Sequence, residues 1–344
     1  MTPITTAFLG TAHIHMGDFV RRLTARQNQI TVRFVYDHDA PRGTSYAQKF
    51  DGAAFTDDPQ TILADPDITS VVICSETVHH KELVLAAARA GKHIFSEKPL
   101  GLGTADADEM AQAIRDAGVT FQTGFFMRGD PIHQFVRREV QAGHLGKLTR
   151  LRYSNCHEAA LAGWFDTDYR WLADPKLAGG GAMLDLGAHV LDIILNTYPQ
   201  TEGDILRAEG MVGSRGGRYG AEIDEYGTGI LEFQSGMIAE LEASWVDPKL
   251  RSPLEVHGTE GEILAQNGVV TYYSKHVDGY GEPTVVADLP PAAPHAFDLF
   301  WDALLGQTLP IPLVGVDEAA QGSRAMEQLY ASAGRSTTVG LASS

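Results

Sequence analysis

The sequence predicts an α/β fold in two parts: a doubly wound parallel sheet over residues 1–123, then an α/β domain over residues 124–344 with a large, mainly antiparallel sheet. Three observations predict it. Short apolar, β-branched runs alternate with helical periodicities as far as Gln122, the pattern of parallel strands joined by helical crossovers. The first of these runs ends in a glycine turn that opens a helix. Beyond Phe125 the spacing changes to strand-length runs separated by turn signals such as Gln234-Ser235-Gly236.

In order, residues 5–9 form a strand that runs into Gly10-Thr11-Ala12-His13-Ile14-His15 and a helix carried by Phe19, Val20 and Leu23. This arrangement puts N–H groups at a helix N-terminus, where a pyrophosphate is favoured. Gly10 fills the first place of G-x-G-x-x-G, while Ala12 and His15 fill the second and third; His15 is expected to border the nicotinamide side of the cleft. The strand over 31–36 leads to Asp37, 27 residues after Gly10, positioned to accept hydrogen bonds from adenosine ribose hydroxyls and to repel a 2′-phosphate. NAD is therefore expected over NADP, with Arg42 the nearby cation that would soften the preference.

Residues 41–50 read as the second helix, and Asp58-Pro59 as the start of a short third. Residues 70–74 make a buried strand that delivers Ser75 and Thr77 to the carboxyl edge of the sheet; the helix over 79–90 carries His80. The strand over 93–95 brings Ser96-Glu97-Lys98-Pro99 to the same edge. There a lysine ammonium donates to a substrate hydroxyl and favours alkoxide character, and Lys98-Pro99 is a candidate cis bond. A helix over 106–117 and a strand over 120–122 complete the series. The cofactor-binding set expected from this edge is Gly10, Ala12, His13, Ile14, Asp37, Ser75, Thr77, His80, Glu97 and Lys98.

In the second part, residues 148–155, 205–212, 228–233, 237–246 and 254–257 read as strands. Gly179-Gly180-Gly181 precedes a helix bearing Asp185 and His189. Four residues on a helix leave side chains ~40° apart, so Asp185 is expected to hydrogen-bond to His189, fix its tautomer and make it a better general base. The plainer alternative is a chance pair on a solvated face. Trp164, Arg170 and Trp171 precede the glycines: aromatic faces suit sugar C–H surfaces and Arg170 suits hydroxyls or an acid, the alternative being simple packing of the helix on the sheet. Asn155 and His157 close a strand and can hydrogen-bond to a polyol.

Composition narrows the partners. Lys and Arg number 27 against 44 Asp and Glu, a net charge of −17, which disfavours nucleic acid and anionic membrane. No signal segment and no run of 18 apolar residues is read, and Cys74 and Cys156 are expected as buried, reduced thiols, so a cytoplasmic protein is expected. The histidines do not show ligand spacing joined to Cys or carboxylate clusters, so no metal site is expected.

With these residues in place, the chain resembles the Gfo/Idh/MocA family, which includes glucose-fructose oxidoreductase and inositol dehydrogenase. The resemblance rests on the glycine turn, Gly91-Lys92-His93 leading to Glu97-Lys98-Pro99, Arg128, residues 179–189 and Gly258-Thr259-Glu260-Gly261. It departs at Ala12, His15 and Ser75-Glu76-Thr77, where the family often has glycines and Thr-Pro-Asn. The resemblance implies a Rossmann domain binding NAD(P), a homodimer or homotetramer, and a catalytic set of Lys98, Asp185 and His189. The substrate contacts expected from these readings together are Lys98, Arg128, Asn155, His157, Trp164, Arg170, Trp171, Asp185 and His189 on a sugar or polyol. Three functions are open at this point: net dehydrogenation, transient oxidation giving hydrolysis, epimerisation or elimination, and a non-catalytic nucleotide or sugar sensor.

Overall fold

The computed structural model describes residues 3–197 and 202–337. The first sheet contains β1 (Ile4–Leu9), β2 (Ile30–Tyr36), β3 (Ala54–Thr56), β4 (Ser70–Ile73), β5 (His93–Ser96) and β6 (Phe121–Thr123) in the order β3-β2-β1-β4-β5-β6, every pair parallel. Helices α1 (Met16–Ala25), α2 (Ala40–Ala47), the short α3 (Gln60–Leu63), α4 (His80–Arg89) and α5 (Thr104–Ala117) supply the crossovers. The strand order reverses between β1 and β4, opening a crevice at their carboxyl ends where such sheets bind ligands. Gly10 sits there with φ +86°, and a Cβ on it would lie 2.5 Å from the Ser75 Cβ, so glycine is required both by conformation and by the close approach of β4.

The core under one face is aromatic: Phe8, Phe19 and Phe95 are fully buried. It is completed from the far end of the chain. Helix α9 (Ala296–Leu304) returns to lay Phe297 flat on Phe19 at a centroid distance of 4.1 Å, with Phe300 and Trp301 alongside. Arg22 of α1 and Arg26 just past its end pair with Asp298 and Asp302, fixing the seam.

The second sheet has eight strands: β7 (Leu148–Cys156), β8 (Ile205–Gly213), β9 (Tyr226–Phe233), β10 (Ile238–Ser244), β11 (Leu254–Gly258), β12 (Gly261–Gln266), β13 (Val269–Ser274) and β14 (Thr284–Val285), in the order β14-β13-β12-β11-β7-β10-β9-β8. All pairs are antiparallel except β7 with β10. Side chains alternate across it, so Leu231 and Ile263 are buried while their neighbours Ile230 and Leu264 face outward and stay exposed. Cys156 ends β7 and Cys74 follows β4; both are free and buried, as the sequence implies.

The inward face carries α8 (Ala182–Thr197), preceded by the short α7 (Pro175–Ala178), and α10 (Val316–Ser332), with α6 (Pro131–Gln141) beside α8. Helix α8 is apolar nearly all round because it is buried nearly all round; residues 175–197 are long and apolar enough to cross a membrane but lie inside the protein. Its N-terminus is tied down by one carboxylate. Asp224 accepts the N–H groups of Gly181 and Met183 and the Tyr330 hydroxyl, each at 2.8 Å. A Cβ at Gly181 would stand 1.8 Å from the Asp224 carbonyl oxygen, which accounts for the third glycine of the run. Asp224→Ala is expected to lower unfolding stability by ~2–4 kcal/mol in urea denaturation, since it strands three donors, two of them backbone groups at a buried helix end. A loss under about 1 kcal/mol would mean that packing alone holds this end of α8.

Candidate active site

Lys98 and Asp185 meet across the two domains. Strand β5 carries Lys98 just past its end, where the Lys98-Pro99 bond is cis and the Pro99 carbonyl is held by His80 Nδ1–H at 2.9 Å. Helix α8, anchored by Asp224, presents Asp185 in its first turn. The Lys98 ammonium donates to the Asp185 carboxylate and, at 3.1 Å, to the Asp185 carbonyl oxygen. The second carboxylate oxygen takes the Trp245 indole N–H at 3.0 Å.

This geometry corrects the expected Asp185–His189 dyad. Asp185 spends its hydrogen bonds on Lys98 and Trp245; none is made to His189 among the described residues, because the ammonium is the stronger partner for a carboxylate in a buried setting. His189 instead lies among aromatic rings, 4.9 Å from Phe126 and 5.8 Å from Phe125, and its Nδ1 is buried with no hydrogen-bond partner. Burial first, then the Lys98 ammonium, hold its pKa well below the usual 6.5, against the opposing pull of Asp185. His189 is therefore a neutral imidazole. For Asp185, burial favours the neutral acid, but the charge and hydrogen bond of Lys98 outweigh it and keep the carboxylate ionised.

The dinucleotide edge fits its expected occupant in three respects. Gly10 provides the close backbone approach, the N–H groups of Ala12 and Ile14 have no backbone partner, and a narrow cleft lined by His13, Thr77, Lys98, Pro99, Trp171 and Asp185 runs from the glycine turn to Lys98. Several expected contacts are spent elsewhere. Ser75 packs under Gly10, and His80 supports the Pro99 turn. Asp37 is fully buried and accepts from the Thr11 N–H and hydroxyl, the Asp39 N–H and two N–H groups of Arg42. It organises the turn and α2.

Two side-chain constellations escaped the sequence reading, which expected no ligand spacing around the histidines. His13, His15 and the fully buried Glu97 bring ligand-type atoms together, with His15 Nδ1 2.8 Å from Glu97, and His38, Glu76 and His79 do so beside Asp37. Their members come from different elements, so linear spacing carries no sign of them. Burial pushes Glu97 toward its neutral form, yet His15 and His13 hold its pKa well below the usual range, while His13 is pushed down to about 3 by its own burial.

In the second domain, His157 and Trp164 form a platform, their rings 4.9 Å apart and inclined by 30°, with Trp164 40% exposed. His157 Nδ1 accepts the Ala159 N–H at 3.2 Å, which leaves the ring proton on Nε2 as a donor. The other expected contacts are placed differently. Arg128 is buried between Asp192 and Glu318 and ties α8 to α10. Trp171 turns its indole N–H to the Ala12 carbonyl at 3.0 Å, joining the second domain to the glycine turn. Arg170 is exposed and lies over the Tyr219 ring. Asn155 lines a separate cavity of about 370 Å³ beyond Phe126, with Tyr153 and Leu254.

Comparison with known proteins places this arrangement. Residues 4–125 match the GFO/IDH/MocA oxidoreductase family, NAD-binding Rossmann fold, and residues 133–264 match the family's C-terminal domain. The chain belongs to the Gfo/Idh/MocA oxidoreductase family. Among its relatives are 1,5-anhydro-D-fructose reductase of Ensifer adhaerens, 33% identical over 66% of each chain, and scyllo-inositol 2-dehydrogenase (NAD(+)) of Bacillus subtilis, 31% identical over 65% of this chain and 62% of that one. The alignments to these two relatives thus span just under two thirds of their lengths. Levoglucosan dehydrogenase in complex with NADH and levoglucosan has the same fold, with a TM-score of 0.80 over 97% of this chain and 98% of that chain at 19% identity.

The charges around His189 make a directional expectation in this Gfo/Idh/MocA protein. Lys98 lowers the imidazole pKa, so Lys98→Met should move the His189 titration upward, followed by NMR of the ring, while the parent imidazole stays neutral down through pH 6.5. A downward or absent shift would place the ammonium outside effective range of His189.

Proposed function

We propose that this protein is an NAD-dependent dehydrogenase that oxidises a secondary hydroxyl of a neutral sugar or polyol. The observation that carries the reading is the Lys98–Asp185 pair spanning the domains beside a neutral, buried His189, in a family of NAD-binding oxidoreductases. NAD, when bound, accepts a hydride at the nicotinamide. The protein supplies orientation and proton handling.

An ammonium has three donors. Two of those on Lys98 go to Asp185, leaving one for the substrate oxygen, where it steadies the charge that builds as the hydroxyl proton leaves. His189 takes that proton: it is uncharged, and the Asp185 carboxylate offsets part of the loss of basicity that burial and the Lys98 ammonium impose. Asp185 keeps lone pairs for a neighbouring hydroxyl. His157 Nε2–H donates to another, and Trp164 offers its face to ring C–H groups. With Arg128 and Arg170 both engaged away from the cleft, the reading favours an uncharged substrate over a sugar acid. The exposed apolar residues on the outer face of the second sheet, Ile230 and Leu264 among them, support the homodimer or homotetramer expected from the sequence.

The test is NAD and NADP reduction against cyclic polyols, aldoses, glycosides and sugar acids. Formation of NADH with a neutral polyol or sugar is expected, and His189→Ala should lower its kcat by roughly 10²–10⁴ while dinucleotide affinity is retained. Unchanged turnover would remove His189 from proton transfer. Tightly retained nucleotide with no bulk NADH on any substrate would favour internal return of the hydride.

A further inference from the structure

We propose that the cavity beyond Phe126 receives the apolar aglycone of a glycoside whose sugar ring is held at Lys98 and His189, which makes the substrate an aryl glycoside; this rests on the dehydrogenase reading above. Phe126 is the shared wall. Its ring lies 4.9 Å from the His189 imidazole, is stacked on His295 at 5.2 Å, and lines the cavity of about 370 Å³. Strand β7 leads from one space to the other. Tyr153 and Asn155 line the cavity, and His157, just past the end of the strand, lies within the field of Lys98 and Asp185. The pairing of β7 with β10 continues through the His157 N–H to the Ser244 carbonyl at 2.9 Å. Asn155 and His157 therefore share one face of the sheet, ~7 Å apart.

The lining selects the occupant. Buried Tyr153, His133, Leu254 and Ala265 and half-buried Met127 and Ile132 form the inner surface, while the polar residues Asp130, Ser252, Gln266 and Asn267 are exposed at the mouth. The Tyr153 hydroxyl and His133 Nε2 bond to each other at 3.1 Å, so the phenol presents its ring to the cavity. A free polyol would strand hydroxyls on this surface, each losing water without gaining a partner. An aromatic ring gains by the same burial. Asn155, 2% exposed, and His133 each hold a side-chain nitrogen with no hydrogen-bond partner, and Asn155 is the one on β7, between the ring site and the cavity. A glycosidic oxygen placed there supplies the missing acceptor. The volume suits one ring and its linkage, since a dry protein cavity of about 150 Å³ already holds benzene.

The experiment is calorimetric titration of the full-length protein, with NADH present, against free hexoses and both anomers of their methyl and phenyl glycosides in the gluco, galacto and manno configurations. NADH formation from NAD is then measured with the same compounds. At least one phenyl glycoside should bind ~10-fold or more tighter than its methyl counterpart. Ser252→Trp, which fills the exposed mouth of the cavity, should erase that advantage and leave the methyl glycoside unchanged. Asn155→Ala should weaken both glycosides relative to the free sugar. Failure of every phenyl glycoside to bind, equal affinity for methyl and phenyl partners, or a phenyl advantage that survives Ser252→Trp overturns the assignment; NADH formed from free sugars would still uphold the dehydrogenase reading. Binding of a phenyl glycoside that Ser252→Trp abolishes, with no NADH formed from any compound, upholds the cavity assignment and counts against net dehydrogenation.

Discussion

The ion pair between Lys98 and Asp185 is the contact on which the site depends, because each partner belongs to a different domain and neither is stable there alone. Both are largely withdrawn from water. Removing charges from solvent is costly, and a buried pair recovers the cost only when geometry is good and the remaining valences are filled. Here the Asp185 carbonyl and the Trp245 indole fill them. The pair therefore fixes the distance between strand β5 and helix α8, and with it the position of His189 relative to the dinucleotide edge.

The same logic recurs along the crevice. Glu97 is buried against two histidines, Asp37 against Thr11 and Arg42, and Asp224 against the end of α8 and Tyr330. Each acid is held by donors from elements distant in sequence, so each acts as a tertiary clip. In a chain with 44 acidic residues, those that matter for function are the ones that have lost water and gained partners. Trp171 and α9 make the complementary apolar seams, one on the glycine turn and the other on the aromatic core of the first sheet.

Much of this was legible from residue order. The βα alternation, the glycine turn and the switch to antiparallel strands depend on local periodicity, and these elements formed where the pattern placed them. Strands β12 and β13, which pair as a hairpin beside β11, were not read from the sequence, and the short β3 and β14 become strands only by pairing with a neighbour. Lys98, Asp185 and His189 were identified as a group, but the bond expected within it was wrong. Helical spacing brings Asp185 and His189 to one side of α8; it cannot register that a stronger cation approaches from another domain. Arg128, His80 and Trp171 carry the same lesson: each is a donor whose acceptor in the fold, on Asp192 and Glu318, Pro99 and Ala12 respectively, lies on another element.

What the amino-acid sequence determined by itself is the two-layered α/β plan, the family and the identity of the chemical groups delivered to the strand ends, because these follow from short-range periodicity and from motifs within a single βα unit. The tertiary structure alone decided which charges are paired: Asp185 to Lys98, Asp37 to Arg42, Glu97 to His15, with Glu76 keeping one oxygen unbonded. The physical reason is that burial and electrostatic partnership are properties of distance in space. A carboxylate's role is set by the donor that reaches it first, and no spacing along the chain records which donor that is.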